Sequence, residues 1–180
     1  GLTATCALRG WALVVRLCVR NSQYGPLVAT AQFRHRGSSN APVTSDEYSD
    51  CQCPSCARVQ PQLSEWMKTY DGRVRLLFKH YPLRNIHRNA LPAAIAAECA
   101  GAQKQFWGYA EKLYATQPQW APLADATTHY LVIASELNLD ATRFNTCRAN
   151  PATQASVLRD AQEAVRPGHD STPTFFTRDQ

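Results

Sequence analysis

Two hydrophobic patterns alternate along the chain. Between Gly72 and Pro82, the residues Val74, Leu76, Leu77 and Phe78 crowd into a short apolar run, the length and setting of a buried strand over 73–80. Just upstream, Val59, Leu63, Trp66 and Met67 recur on one helical face and predict a helix over 54–70, ended by Asp71-Gly72, with a kink at Pro61. Residues 42–49 read as another strand, although Ser45 and Asp46 stand where a buried central strand prefers valine or isoleucine. From Asn89 the pattern turns helical for a long distance, over 90–100, 103–115 and 123–137. A short helix capped by Asp140 and a further one opened by Pro151 follow. A last apolar run, Thr174-Phe175-Phe176, comes after Pro173. Strand, helix, strand, several helices, strand is the order of an α/β fold whose central sheet carries a helical insertion, here over approximately 88–150.

Residues 1–40 do not follow either pattern. Their apolar patch, Trp11 to Val15 and Leu17 to Val19, is broken at Arg16 and is too short to span a bilayer. It is not a clear signal peptide, and reads either as a targeting segment or as a poorly ordered extension, with Gly37-Ser38-Ser39-Asn40 as a linker to a folded domain over 41–180. The formal charge of +5 is concentrated there: residues 1–40 hold Arg9, Arg16, Arg20, Arg34 and Arg36 and no acidic residue, while the rest of the chain is balanced. A balanced main domain lacks the basic footprint of a nucleic-acid binder.

Seven cysteines in 180 residues are too few for a disulfide scaffold that replaces a core, and more than packing alone explains. Cys53-Pro54-Ser55-Cys56 joins the first predicted strand to the first predicted helix. A thiolate at a helix start lies over unpaired backbone N–H groups and the positive end of the helix dipole, so Cys53 is the candidate attacking group. Cys56, one turn on, lies on the same face and is placed to close a small disulfide ring. The pair has a rival reading, because Cys51 makes a three-thiol cluster that would suit zinc or copper if His80 or His87 approached. Cys99 and Cys147, on separate predicted helices, are either a structural disulfide or two buried free thiols. Cys6 and Cys18 receive no role. Lys79 reads as a solvated lysine at a strand end, and Phe106, Trp107, Tyr109, Leu113 and Tyr114 as the core and rim of the insertion.

These residues, with Ala41-Pro42-Val43-Thr44, Glu47-Tyr48-Ser49-Asp50, His87-Arg88-Asn89-Ala90-Leu91-Pro92, Ala97-Glu98-Cys99-Ala100 and Thr172-Pro173-Thr174-Phe175-Phe176, resemble the DsbA-like branch of the thioredoxin superfamily over roughly residues 41–177. The resemblance implies a thioredoxin-like fold and a thiol-disulfide oxidoreductase with Cys53 and Cys56 as its catalytic pair. It also implies Glu47 as a buried proton carrier, a cis Pro173 facing the pair, and Thr172 as the backbone that meets substrate. It implies no cofactor and no metal. As partners it implies cysteine-containing polypeptides and a protein that recycles the dithiol, such as a membrane quinone reductase; as location, the periplasm or another extracytoplasmic site, free or membrane-anchored. The chain departs from the family at Ser45, Asp46 and Cys51, at His169-Asp170-Ser171 before the proline, and in stopping at Gln180 ahead of the expected final strand and helix. Those departures are compatible with a truncated, non-catalytic relative.

Overall fold

The computed structural model describes residues 17–19, 31–164 and 171–179. Its sheet is built outward from β3 (Val43–Ser49), which leads into helix α1 (Pro54–Thr69) and pairs in parallel with β4 (Val74–His80), so that Glu47 lies beside Phe78 and Tyr48 beside Lys79. On the other side of β3 runs β5 (Thr174–Asp179), antiparallel, with Glu47 opposite Phe175. Two short strands complete the order β1-β5-β3-β4-β2: β1 (Leu17–Val19) is parallel to β5, and β2 (His35–Arg36) is antiparallel to β4.

The helices inserted between β4 and β5 are α2 (Ala90–Gly101), α3 (Phe106–Ala115), α4 (Gln117–Trp120), α5 (Thr127–Glu136), α6 (Ala141–Ala149) and α7 (Pro151–Ala164). Asp140 caps α6 as expected, its carboxylate accepting the Arg143 N–H at 2.8 Å. The expected helix over 103–115 begins only at Phe106, because Lys104 takes a positive φ of 65° and turns the chain after α2. The one over 123–137 is shorter and preceded by α4: Pro122 cannot continue a helix, and Asp125 accepts the Thr127 N–H at 2.8 Å where α5 starts. Pro61 lies inside α1, which runs unbroken past it.

Alternate residues of β3 serve two different layers. Ser45, Glu47 and Ser49 share a face with Leu76, Phe78 and Phe175, against α1 and α3, where Val59, Leu63, Phe106 and Leu113 are buried. The opposite face is polar. Tyr48 Oη donates to Glu163 on α7 at 2.9 Å, and Lys79 Nζ donates to the same carboxylate at 3.0 Å. Lys79 is 1 % exposed, so the solvated reading of it is wrong: Glu163 supplies the counter-charge that lets the ammonium be buried. Asp46 is equally buried and pairs with Arg178 of β5, whereas on the α1 face Thr177 Oγ1 donates to Ser45 Oγ at 3.3 Å.

Between β2 and β3 the expected linker is an ordered turn. Gly37 has φ +92°, and a Cβ there would lie 2.4 Å from the Val74 carbonyl, so only glycine fits. Arg34, in the 3-10 turn Gln32–Arg34 that precedes β2, is 2 % exposed, pairs with Asp160 of α7 and lies 3.4 Å from Glu98 of α2. Cys6, His169 and Asp170 lie outside the described residues.

Candidate active site

The end of β3 and the start of α1 meet at Cys53, which is the N-cap of α1 with extended dihedrals (φ −73°, ψ 122°). Pro54 then occupies the first helical turn, where a missing N–H costs nothing. Cys53 is 7 % exposed, and its thiol donates to the Thr172 carbonyl at 3.6 Å. The Thr172–Pro173 peptide bond is cis. Hydrogen bonding from the Cys56 thiol, the Thr172 side chain and the N–H groups of Cys56 and Ser55 outweighs burial and lowers the Cys53 thiol to about 5. Cys56 is wholly buried and accepts the Asp50 N–H at 3.5 Å. Burial, and then the neighbouring Cys53, push its thiol well above the usual range. The N-cap cysteine is thus biased toward the thiolate and the wholly buried Cys56 toward the protonated thiol.

Glu47 lies on the α1 face of β3, opposite Phe175 of β5, and is fully buried. Its Oε1 accepts from Gln60 Nε2 at 3.0 Å. Burial raises the carboxyl to about 7 against the opposing effects of Gln60, Ser49 and Arg36. Ser49 also acts on Cys56, and its hydroxyl is 2.9 Å from the Tyr114 hydroxyl.

Cys51, Cys53 and Cys56 are free thiols, and no group of three or more His, Cys, Asp or Glu side chains is arranged to hold an ion among the described residues. The histidines are occupied elsewhere: His80 Nε2 is 3.2 Å from Glu98, and His87 Nδ1 is 2.7 Å from Asp50. Cys51 is 1 % exposed with its thiol pushed up by burial, and packs in the core of the insertion. Cys99 and Cys147 form a disulfide joining α2 to α6, with Cα atoms 5.7 Å apart.

Four side chains that hold this site carry no conspicuous signal in the sequence. Asp50 accepts the N–H groups of Gln52 (2.7 Å) and Leu83 (3.0 Å) besides His87. Gln52 donates to the Ala121 carbonyl at 2.8 Å and accepts the Asn89 N–H at 2.7 Å. Gln117 donates to the carbonyls of Cys51 and Cys53, and Tyr114 meets Ser49. Only Asp50 had a local cue, since aspartate two residues before a turn N–H commonly caps it.

The family model described as thioredoxin matches residues 29–180. The chain belongs to the thioredoxin family. Within it the fold is DsbA-like. The structure of Wolbachia pipientis α-DsbA1 superposes with a TM-score of 0.69 at 25% identity, covering 81% of this chain and 74% of that one. Pseudomonas aeruginosa DsbA2 gives a TM-score of 0.69 at 26% identity over 85% of this chain and 83% of its own. Among curated proteins, the Na(+)/H(+) antiporter NhaA 3 of Salinispora tropica is 36% identical over 141 residues, 78% of this chain. The chain spans only 21% of that antiporter's length. No helix of this thioredoxin-family chain, among the described residues, is long and apolar enough to cross a membrane.

Proposed function

We propose that the chain is a protein disulfide oxidoreductase that exchanges disulfides with cysteine-containing polypeptides through Cys53 and Cys56. The observation that carries this is the asymmetry of the pair: a low-pKa sulfur at the N-cap of α1 in front of a buried, high-pKa one. Favouring the Cys53 thiolate stabilises the dithiol over the disulfide, so the proposed direction is oxidation of substrate. A substrate thiolate attacks Cys53 Sγ of the disulfide form, the S–S bond breaks, and Cys56 leaves as a thiolate. Its burial makes that anion costly, and Glu47, poised near neutrality, is the proposed donor of the proton it takes up. A second substrate thiolate attacks the substrate sulfur of the mixed disulfide, Cys53 leaves as its stable thiolate, and the substrate gains a disulfide while the protein holds two electrons. A separate protein oxidant must then remove them, for which a membrane quinone reductase is the proposed class. The Thr172 backbone beside Cys53 is the proposed contact for the incoming polypeptide strand.

The setting proposed is extracytoplasmic, at or near a membrane. The DsbA-like neighbours and the match to a fifth of an antiporter's length support it. Cys53→Ser removes the attacking sulfur and should abolish both dithiol oxidation and insulin reduction. Retention of either activity would overturn the assignment, and an inactive wild-type protein would leave a non-catalytic thioredoxin-like domain.

A further inference from the structure

We propose that Gln117 is a positioning residue for the dithiol, its side-chain amide clamping the carbonyls of Cys51 and Cys53 and so fixing Cys53 against the first turn of α1. Gln117 Nε2 donates to Cys51 O at 2.8 Å and to Cys53 O at 3.1 Å, and the residue is 7 % exposed. The turn it grips is tight, because the Cys53 N–H already bonds the Asp50 carbonyl at 3.0 Å. A second glutamine reaches the opposite way: Gln52, within the turn, donates to Ala121 just past α4 and accepts from Asn89 at the start of α2. The segment carrying the attacking sulfur is therefore fastened to the inserted helices by two reciprocal amides.

The clamp matters chemically because of what lies around the sulfur. The N–H groups of Ser55 and Cys56 favour the thiolate only while the sulfur stays above them, and the Cys51 or Cys53 carbonyl turned toward it would add to the opposing carbonyl of Thr172, already 3.6 Å away. An amide that occupies both carbonyls holds these dipoles in place, and it carries no charge that would change with pH. Gln117 is 64 residues from Cys53, so no local motif announces the contact.

The inference rests on Cys53 being the attacking group, and its test reads that group without requiring turnover. In Gln117→Met the volume is kept and the donor removed; in Gln117→Asn the amide is kept but is one methylene short. Thiolate absorbance of the reduced proteins against pH gives the Cys53 midpoint, and a glutathione titration gives the dithiol equilibrium. Removing these two hydrogen bonds should raise the pH midpoint of the Cys53 titration and make the protein less oxidising by about three- to tenfold in Gln117→Met, with Gln117→Asn between it and wild type. Gln117→Asn serves as the readout if the methionine variant fails to fold. Variants that melt earlier yet keep the wild-type midpoint and equilibrium would overturn the proposal and leave Gln117 a purely structural contact. A wild type that transfers no disulfide would sink the proposed function alone, since the thiolate titration would still report the clamp.

Discussion

At Glu47 the fold sets a proton affinity whose sign can be followed into stability. The carboxyl titrates at 4.5 in a model compound and at about 7 here, so across that window the folded protein binds a proton that the unfolded chain has released. Stability is full below the unfolded value, falls as pH rises through the window, and levels off above the folded value. Glu47→Gln never has to bury a charge. It should be more stable than wild type by about 2–3 kcal/mol at about pH 8, with the gap closing near about pH 4, as urea unfolding at both pH values would show. The same variant should slow the release of Cys56 in a single-turnover oxidation of a dithiol peptide, if Glu47 supplies the proton. Cys53 works with the opposite sign: its thiol is lowered from 9.0 to about 5, so the reduced protein gains stability as pH climbs between those values, and the disulfide form does not. Comparing the two redox forms of Glu47→Gln by thermal melting isolates that gain.

Among the elements, the most legible were those whose cause is local. The apolar run of β4, the face of α1, the Asp140 cap and the Cys53-Pro54-Ser55-Cys56 junction all follow from neighbours a few residues apart. The illegible ones draw their partners from far along the chain. Ser45 and Asp46 look wrong for a buried strand because the residues that satisfy them, Thr177 and Arg178, lie 132 positions downstream. Lys79 was misread for the same reason, since its carboxylate is on α7, 84 residues away. Helix boundaries failed where a single backbone feature intervened, such as the positive φ of Lys104. The Cys99–Cys147 disulfide ties α2 to α6 across 48 residues, and a loop of that length predicts a loss of about 2–4 kcal/mol when it is removed. Cys99→Ala with Cys147→Ala should therefore melt earlier while keeping the Cys53 thiolate titration of wild type, because neither cysteine is among the groups that set the Cys53 thiol.

For the molecule as a whole, the layer between β4, α2 and α7 is held by charge as well as by apolar burial. Arg34, Asp160, Glu98 and His80 meet there, with Lys79 and Glu163 beside them. Removing one member strands the others without a counter-charge, so Arg34→Met should cost about 3–5 kcal/mol in urea unfolding. Replacing the surrounding set together with apolar side chains should cost much less. The turn at Gly37 and the burial of Arg34 also join the segment from residue 31 onward to this layer. The pleat of β3 separates two sets of partners: Glu47 and Ser49 look toward Gln60 of α1 and Tyr114 of α3, while Asp46 and Tyr48 look toward β5 and α7. Substitution along the strand is thereby felt in steps of two: an even-numbered change falls on α7 or on Arg178, and an odd-numbered one on the layer against α1 and α3. A one-residue slip, which would exchange the two acids, is the change neither side of the sheet would survive.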